Sequence, residues 1–129
     1  MKIEHVAIWA KDLEIIKEFY AKYFGMQCSE KYTNSQKCFS SYFLSFAGAK
    51  TRLEIMSRPE IEDLDRKHST SYGLTHFSIS VGSKSKVDRL TERFRKDGYH
   101  IVGEPRTTGD GYYESVIEDC ESNWVEIAE

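Results

Sequence analysis

Apolar and polar positions alternate over two short stretches that echo each other. Ile3-Glu4-His5-Val6-Ala7-Ile8 and Leu74-Thr75-His76-Phe77-Ser78-Ile79 both read apolar, polar, His, apolar, small, Ile, at an offset of 71. A period of two predicts a strand in each place. Beyond the first, the period lengthens: Leu13, Ile16, Tyr20 and Phe24 fall on one helical stripe, with Asp12 as N-cap candidate and Gly25 as terminator. Beyond the second, Ser85-Lys86-Val87-Asp88 fits a capping box, Val87, Leu90 and Phe94 form the stripe, and Asp97-Gly98 closes it. The remainder of each half is β-like, at roughly 26–32, 38–47 and 51–58, then 99–106, 112–119 and 123–128, punctuated by Gly48, Gly109 and Gly111.

Each half therefore reads strand, helix, three strands, which predicts an α+β fold of two tandem βαβββ modules over 1–58 and 73–129. The joint, 59–72, is a charged linker without strand pattern and with room for one helical turn. Tyr42 and Tyr113 are again 71 apart, and Glu54 and Glu126 are 72 apart, so a single one-residue insertion reconciles the halves. A half of about 60 residues cannot bury a sheet face alone, so the two are expected to share a core within the chain or across a homodimer.

The repeat puts four residues with ligand chemistry at matching points: His5 and His76 in the first strands, Glu54 and Glu126 in the last. Strand alternation sets their company. One face carries the four with Ala7, Trp9, Arg52, Met56, Ser78, Ser80, Trp124 and Ala128, while the other carries Val6, Ile8, Leu53, Ile55, Phe77, Ile79, Val125 and Ile127. The apolar face suits packing on the helices, and the mixed face suits a lined cavity. Singly, each of the four also reads as a hydrogen-bonded strand histidine or a solvated glutamate. Jointly, two imidazoles and two carboxylates make a mixed N/O set for a borderline divalent ion, Ni²⁺ or Zn²⁺ first, with Co²⁺, Mn²⁺ or Fe²⁺ also suited.

Composition narrows the rest. The 129 residues are 40% hydrophobic and 30% charged, which describes one ordinary folded domain rather than a disordered chain. Lys and Arg number 18 against 21 Asp and Glu, interspersed, so no basic face is available for nucleic acid. No stretch approaches the apolar length of a membrane span, and residues 1–10 carry Glu4 and His5 where a signal peptide would be apolar, so a cytoplasmic protein is expected. Three cysteines, Cys28, Cys38 and Cys120, lack CxxC spacing and are expected to be free thiols. His68 and His100 have no counterpart in the repeat and are expected at the surface.

Two βαβββ halves, each with His in its first strand and Glu in its last, resemble the vicinal oxygen chelate superfamily of glyoxalase I, bleomycin-resistance proteins, extradiol dioxygenases and fosfomycin-resistance enzymes. The Phe19-Tyr20…Phe24-Gly25-Met26 run resembles that family's FY…LGM segment. Residues 118–127 resemble its DPDGN-x-x-E-I ending, with Cys120 and Ser122 in place of Pro and Gly and Glu126 in register. The resemblance implies a glyoxalase-like fold, an eight-stranded, partly open sheet cupping a metal with helices outside, and a homodimer. The ligand order His, Glu, His, Glu is the glyoxalase I pattern, with Glu54 the residue that dioxygenases and fosfomycin-modifying members lack.

What the resemblance implies chemically is a glyoxalase I-like lyase. Such an enzyme takes a small substrate derived from an α-oxoaldehyde through a metal-stabilised enediolate, with Glu126 as catalytic base and Glu54 as its symmetric counterpart. The alternatives are a metal-dependent dioxygenase, a fosfomycin-type thiol transferase, or a metal-free small-molecule binding protein of the bleomycin-resistance kind. The family's glutathione contacts are unmatched: Trp9 and Arg58 stand at those positions. Trp9 offers an apolar wall, Arg58 an anion contact or a solvated strand end, and Trp124 a stacking surface or core filler.

Overall fold

The computed structural model describes residues 1–62 and 72–129. The linker segment around His68 lies outside the described residues. The chain divides into two compact units, Met1–Leu64 and Asp65–Glu129.

The first unit opens with β1 (His5–Trp9) and α1 (Leu13–Phe24). The Asp12 carboxylate accepts from the backbone N–H groups of Glu14 (2.9 Å) and Ile15 (3.1 Å), and Gly25 at φ 69° turns the chain out of the helix. Then come β2 (Gln27–Cys28), β3 (Tyr32–Asn34), a short 3-10 turn at Ser35–Lys37, β4 (Phe39–Ser45) and β5 (Arg52–Ser57). The sheet order is β1-β5-β4-β2, with β3 also on β4; β1 and β5 run parallel and the other pairs antiparallel.

Where one strand is expected at 26–32, two short ones form. Ser29 is the cause: its N–H bonds the Phe43 carbonyl at 2.9 Å, and its hydroxyl takes the Phe43 N–H at 3.0 Å. The side chain thus occupies the donor that the ladder needs, and pairing resumes only at Tyr32. This raises the expected eight strands to nine.

The second unit holds β6 (His76–Ser80), α2 (Lys84–Lys96), β7 (Ile101–Thr107), β8 (Tyr113–Glu118) and β9 (Trp124–Ala128), in sheet order β6-β9-β8-β7. Again the first and last strands are parallel. The helix starts two residues earlier than the Ser85 capping box predicts, because the extended Ser83 (φ −168°) offers its carbonyl to the N–H groups of Lys86 and Val87.

Both sheets bury one face on their own helix. The first unit buries Ile8, Leu44, Leu53 and Ile55 of its strands and Leu13, Ile16 and Tyr20 at its helix; the second buries Ile79, Ile117, Val125 and Ile127 with Val87 and Phe94. Phe19 and Tyr23 join the α1 stripe, while Phe24 is only half-buried. One polar link crosses the second core, where the Thr91 hydroxyl reaches the Val87 carbonyl (2.8 Å) and the Ser115 hydroxyl (2.7 Å).

Candidate metal centre

The strand registers decide which residues of the two units are equivalent. His5 pairs with Arg52 and His76 with Trp124, so β1 maps on β6 at an offset of 71 and β5 on β9 at 72. In the third strand Met56 faces Ser41 and Ala128 faces Glu114, an offset of 73. Tyr42 and Tyr113 are therefore not equivalent. The register counterpart of Tyr42 is Ser115, because the β8–β9 hairpin is one residue shorter than the β4–β5 hairpin.

With this alignment, the faces away from the helices differ almost everywhere. Trp9 becomes Ser80, Arg52 becomes Trp124, Phe43 becomes Val116, Met56 becomes Ala128 and Ser41 becomes Glu114. The histidine and the glutamate persist. In the first unit His5 Nε2 lies 3.7 Å from Glu54 Oε2; in the second His76 Nε2 lies 3.3 Å from Glu126 Oε2. Exposure repeats as well, at 40% and 14% for the first pair and 39% and 16% for the second. In each unit a reachable imidazole leans on a largely buried carboxylate.

The surroundings of the two pairs diverge. Behind His5, Glu4 meets the ring nitrogen Nδ1, which leaves Nε2 as the nitrogen presented to Glu54. The hydrogen bond with His5 holds the Glu4 carboxyl below its ordinary range; Arg52 adds to this, and desolvation opposes it. Beside Glu126 stands Glu114, paired with Arg106 at 3.1 Å. Burial pushes the Glu114 carboxyl up, its hydrogen bond with Glu126 and the charge there push the same way, and Arg106 opposes them. Sequence reading missed Glu114. The signal that finds it is the alternation of β8 taken with the β8–β9 register, in which Val116 pairs with Glu126 and so sets Glu114 and Glu118 on the same side.

Trp9 and Arg58 come together: the guanidinium sits 5.2 Å from the indole centroid, and Phe39 meets the same indole edge-on at 6.3 Å. Arg58 also lies 3.7 Å from Glu60. Trp124 directs its indole N–H to Glu118 at 3.4 Å. His100 is exposed, with Nδ1 3.4 Å from the same carboxylate oxygen. Cys28, Cys38 and Cys120 form no disulfide.

Among the described residues the structure brings the predicted ligands together as two pairs, and no group of three or more His, Cys, Asp or Glu forms. The donor chemistry of each pair suits a divalent ion. Neighbouring ligands at about 2.1 Å from one ion stand about 3 Å apart, so gaps of 3.3 and 3.7 Å need only small side-chain adjustments.

Comparison with known proteins agrees with the fold. The chain superimposes on a glyoxalase/bleomycin resistance protein/dioxygenase domain from Frankia sp. with a TM-score of 0.81, at 19% identity, covering 99% of this chain and 96% of that one. It superimposes on the trypanothione-dependent glyoxalase I of Leishmania major with a TM-score of 0.77, at 20% identity, covering 100% of this chain and 86% of that one. In sequence it is 26% identical over 131 residues to the uncharacterised protein YqjT of Bacillus subtilis, covering 97% of this chain and 96% of that protein. Residues 2–127 match the family as a whole, and the chain belongs to the Glyoxalase/Bleomycin resistance protein/Dioxygenase superfamily.

Proposed function

We propose that this chain is a metal-dependent, glyoxalase I-like lyase acting on a small substrate derived from an α-oxoaldehyde. The observation that supports the reading is the repeated pair: His and Glu face each other at 3.7 and 3.3 Å in register-equivalent places on faces that otherwise share no residue among those compared. His5, Glu54, His76 and Glu126 would hold the ion, Ni²⁺ or Zn²⁺ first, with Co²⁺, Mn²⁺ and Fe²⁺ as further fits to two nitrogens and two oxygens. When bound, such an ion supplies Lewis-acid charge to two neighbouring substrate oxygens.

Proton movement falls to the chain itself. Glu126, largely buried on β9, takes the proton from one substrate carbon and returns it to the adjacent one. Glu54 is the register counterpart and the second carboxylate of the set. Trp9 and Arg58, stacked together, would bind the substrate away from the reacting carbons, and Trp124, two residues from Glu126 on β9, is a further candidate contact. The working assembly is a homodimer.

The test is thioester formation from methylglyoxal and a panel of thiols, using protein loaded with Ni²⁺ or Zn²⁺. Turnover is expected with at least one thiol, with a loss of about 10²-fold or more in Glu126→Gln. Absence of thioester with every thiol overturns the reading. Glu54→Gln separates it from an iron dioxygenase, because only a four-ligand enzyme loses metal affinity markedly on that change.

A further inference from the structure

The histidine of the first unit is braced from behind. Glu4 places Oε2 at 2.5 Å from His5 Nδ1 and Oε1 at 2.5 Å from Arg52 Nη2. Arg52 is the cross-strand partner of His5, and its backbone N–H also donates to the Glu4 carbonyl at 3.0 Å. Phe43 closes the group, with the Arg52 guanidinium 3.8 Å above its ring and the His5 ring edge-on at 5.5 Å. None of these side chains recurs in the second unit, where Thr75, Trp124 and Val116 occupy the places of Glu4, Arg52 and Phe43.

An imidazole binds a metal through a nitrogen lone pair, so only the tautomer with its proton on Nδ1 offers Nε2. A carboxylate on Nδ1 selects that tautomer and fixes the ring plane. We propose that Glu4 is a positioning residue for His5, fixing its ring and tautomer so that Nε2 faces Glu54 and the first pair is preorganised for the ion. This rests on the metal-centre reading above. Arg52 and Phe43 hold Glu4 and the ring in place, and at the corresponding position beside His76 stands Thr75, which has no carboxylate to offer.

Two measurements on Glu4→Ala, Glu4→Gln and the control Thr75→Ala test this. The first is Zn²⁺ affinity by competition with a chromophoric chelator. The second is the imidazole ¹⁵N spectrum of metal-free protein at alkaline pH, which reads the tautomer of each histidine. Glu4→Ala is expected to weaken Zn²⁺ binding by about 10-fold or more and to raise the Nε2–H tautomer at His5 alone. Glu4→Gln, which keeps a neutral acceptor, is expected to recover part of both, and Thr75→Ala to change neither. An unchanged His5 tautomer in Glu4→Ala overturns the proposal, whether or not the affinity falls. If wild-type protein binds no Zn²⁺, the metal-centre reading fails, and the His5 spectrum still decides the role of Glu4.

Discussion

The buried hydroxyl chain between α2 and β8 makes a sharp stability prediction. A hydroxyl has one proton, and the Thr91 proton goes to the Val87 carbonyl, so Ser115 donates to Thr91. Both residues are fully buried, which leaves water unable to replace a lost partner. Thr91→Val keeps the shape but strands the Ser115 hydroxyl, at a cost of about 1–3 kcal/mol. Ser115→Ala leaves the Thr91 proton satisfied and costs less, about 0.5–1.5 kcal/mol. Thr91→Val with Ser115→Ala removes both polar groups together and is expected within about 1 kcal/mol of wild type. The second substitution therefore rescues the first, giving a coupling of about 1–3 kcal/mol. Urea unfolding followed by circular dichroism reads this as a midpoint that falls in Thr91→Val and recovers in the double variant at constant m-value. A double variant as unstable as the sum of the single ones would falsify the coupling, and a Ser115→Ala as costly as Thr91→Val would refute the proton assignment.

Further expectations follow from other contacts. Hydrogen bonds from Lys17, Tyr42 and Lys31 lower the Glu14 carboxyl from its ordinary 4.5 to about 2. Its stabilising contribution is therefore complete above pH 4.5 and lost as pH falls through about 2, so the stability gap between wild type and Glu14→Gln should close across that window in acid titrations; a pH-independent gap refutes it. At Gly103 an added Cβ would stand 2.8 Å from Arg106 Nη1, so Gly103→Ala should displace the guanidinium from Glu114 and move the Glu114 titration upward in carboxyl ¹³C spectra. An unmoved Glu114 titration would show that Arg106 does not depend on that space. Zn²⁺ at 100 times its Kd should stabilise the protein by about 2.7 kcal/mol, seen as a rise in Tm that EDTA reverses. His76→Ala should abolish that rise, and a Tm indifferent to Zn²⁺ in wild type counts against the ligand assignment.

The helices, the first and last strands of each unit and the faces on which the four ligand candidates lie were legible because each rests on a short-range pattern. Alternation alone placed His5, Glu54, His76 and Glu126 opposite the helix-covered faces, and the structure keeps them there. What a count along the chain could not carry was the hairpin. Equal spacing made Tyr42 and Tyr113 look equivalent, whereas cross-strand hydrogen bonds pair Tyr42 with Ile55 and Ser115 with Ile127. Glu114 was overlooked for the same reason, since its neighbourhood with Glu126 exists only through the β8–β9 register. The division of β2 from β3 depends on where one serine hydroxyl points, and local propensity does not encode that. The Thr91–Ser115 link spans 24 residues and joins two positions that each read as ordinary small polar residues.

The interruption at Ser29 also bears on how the protein behaves in a crowded solution. A long, flat outer strand is a template on which another chain can extend the sheet. Here the outer margin of the first sheet is broken into pieces of two and three residues, with a hydroxyl sitting in the ladder between them. The outer strand of the second sheet, β7, carries Pro105 and two register shifts. Each unit thus ends one side of its sheet in a backbone that cannot be copied by an incoming strand, a built-in resistance to fibrous association.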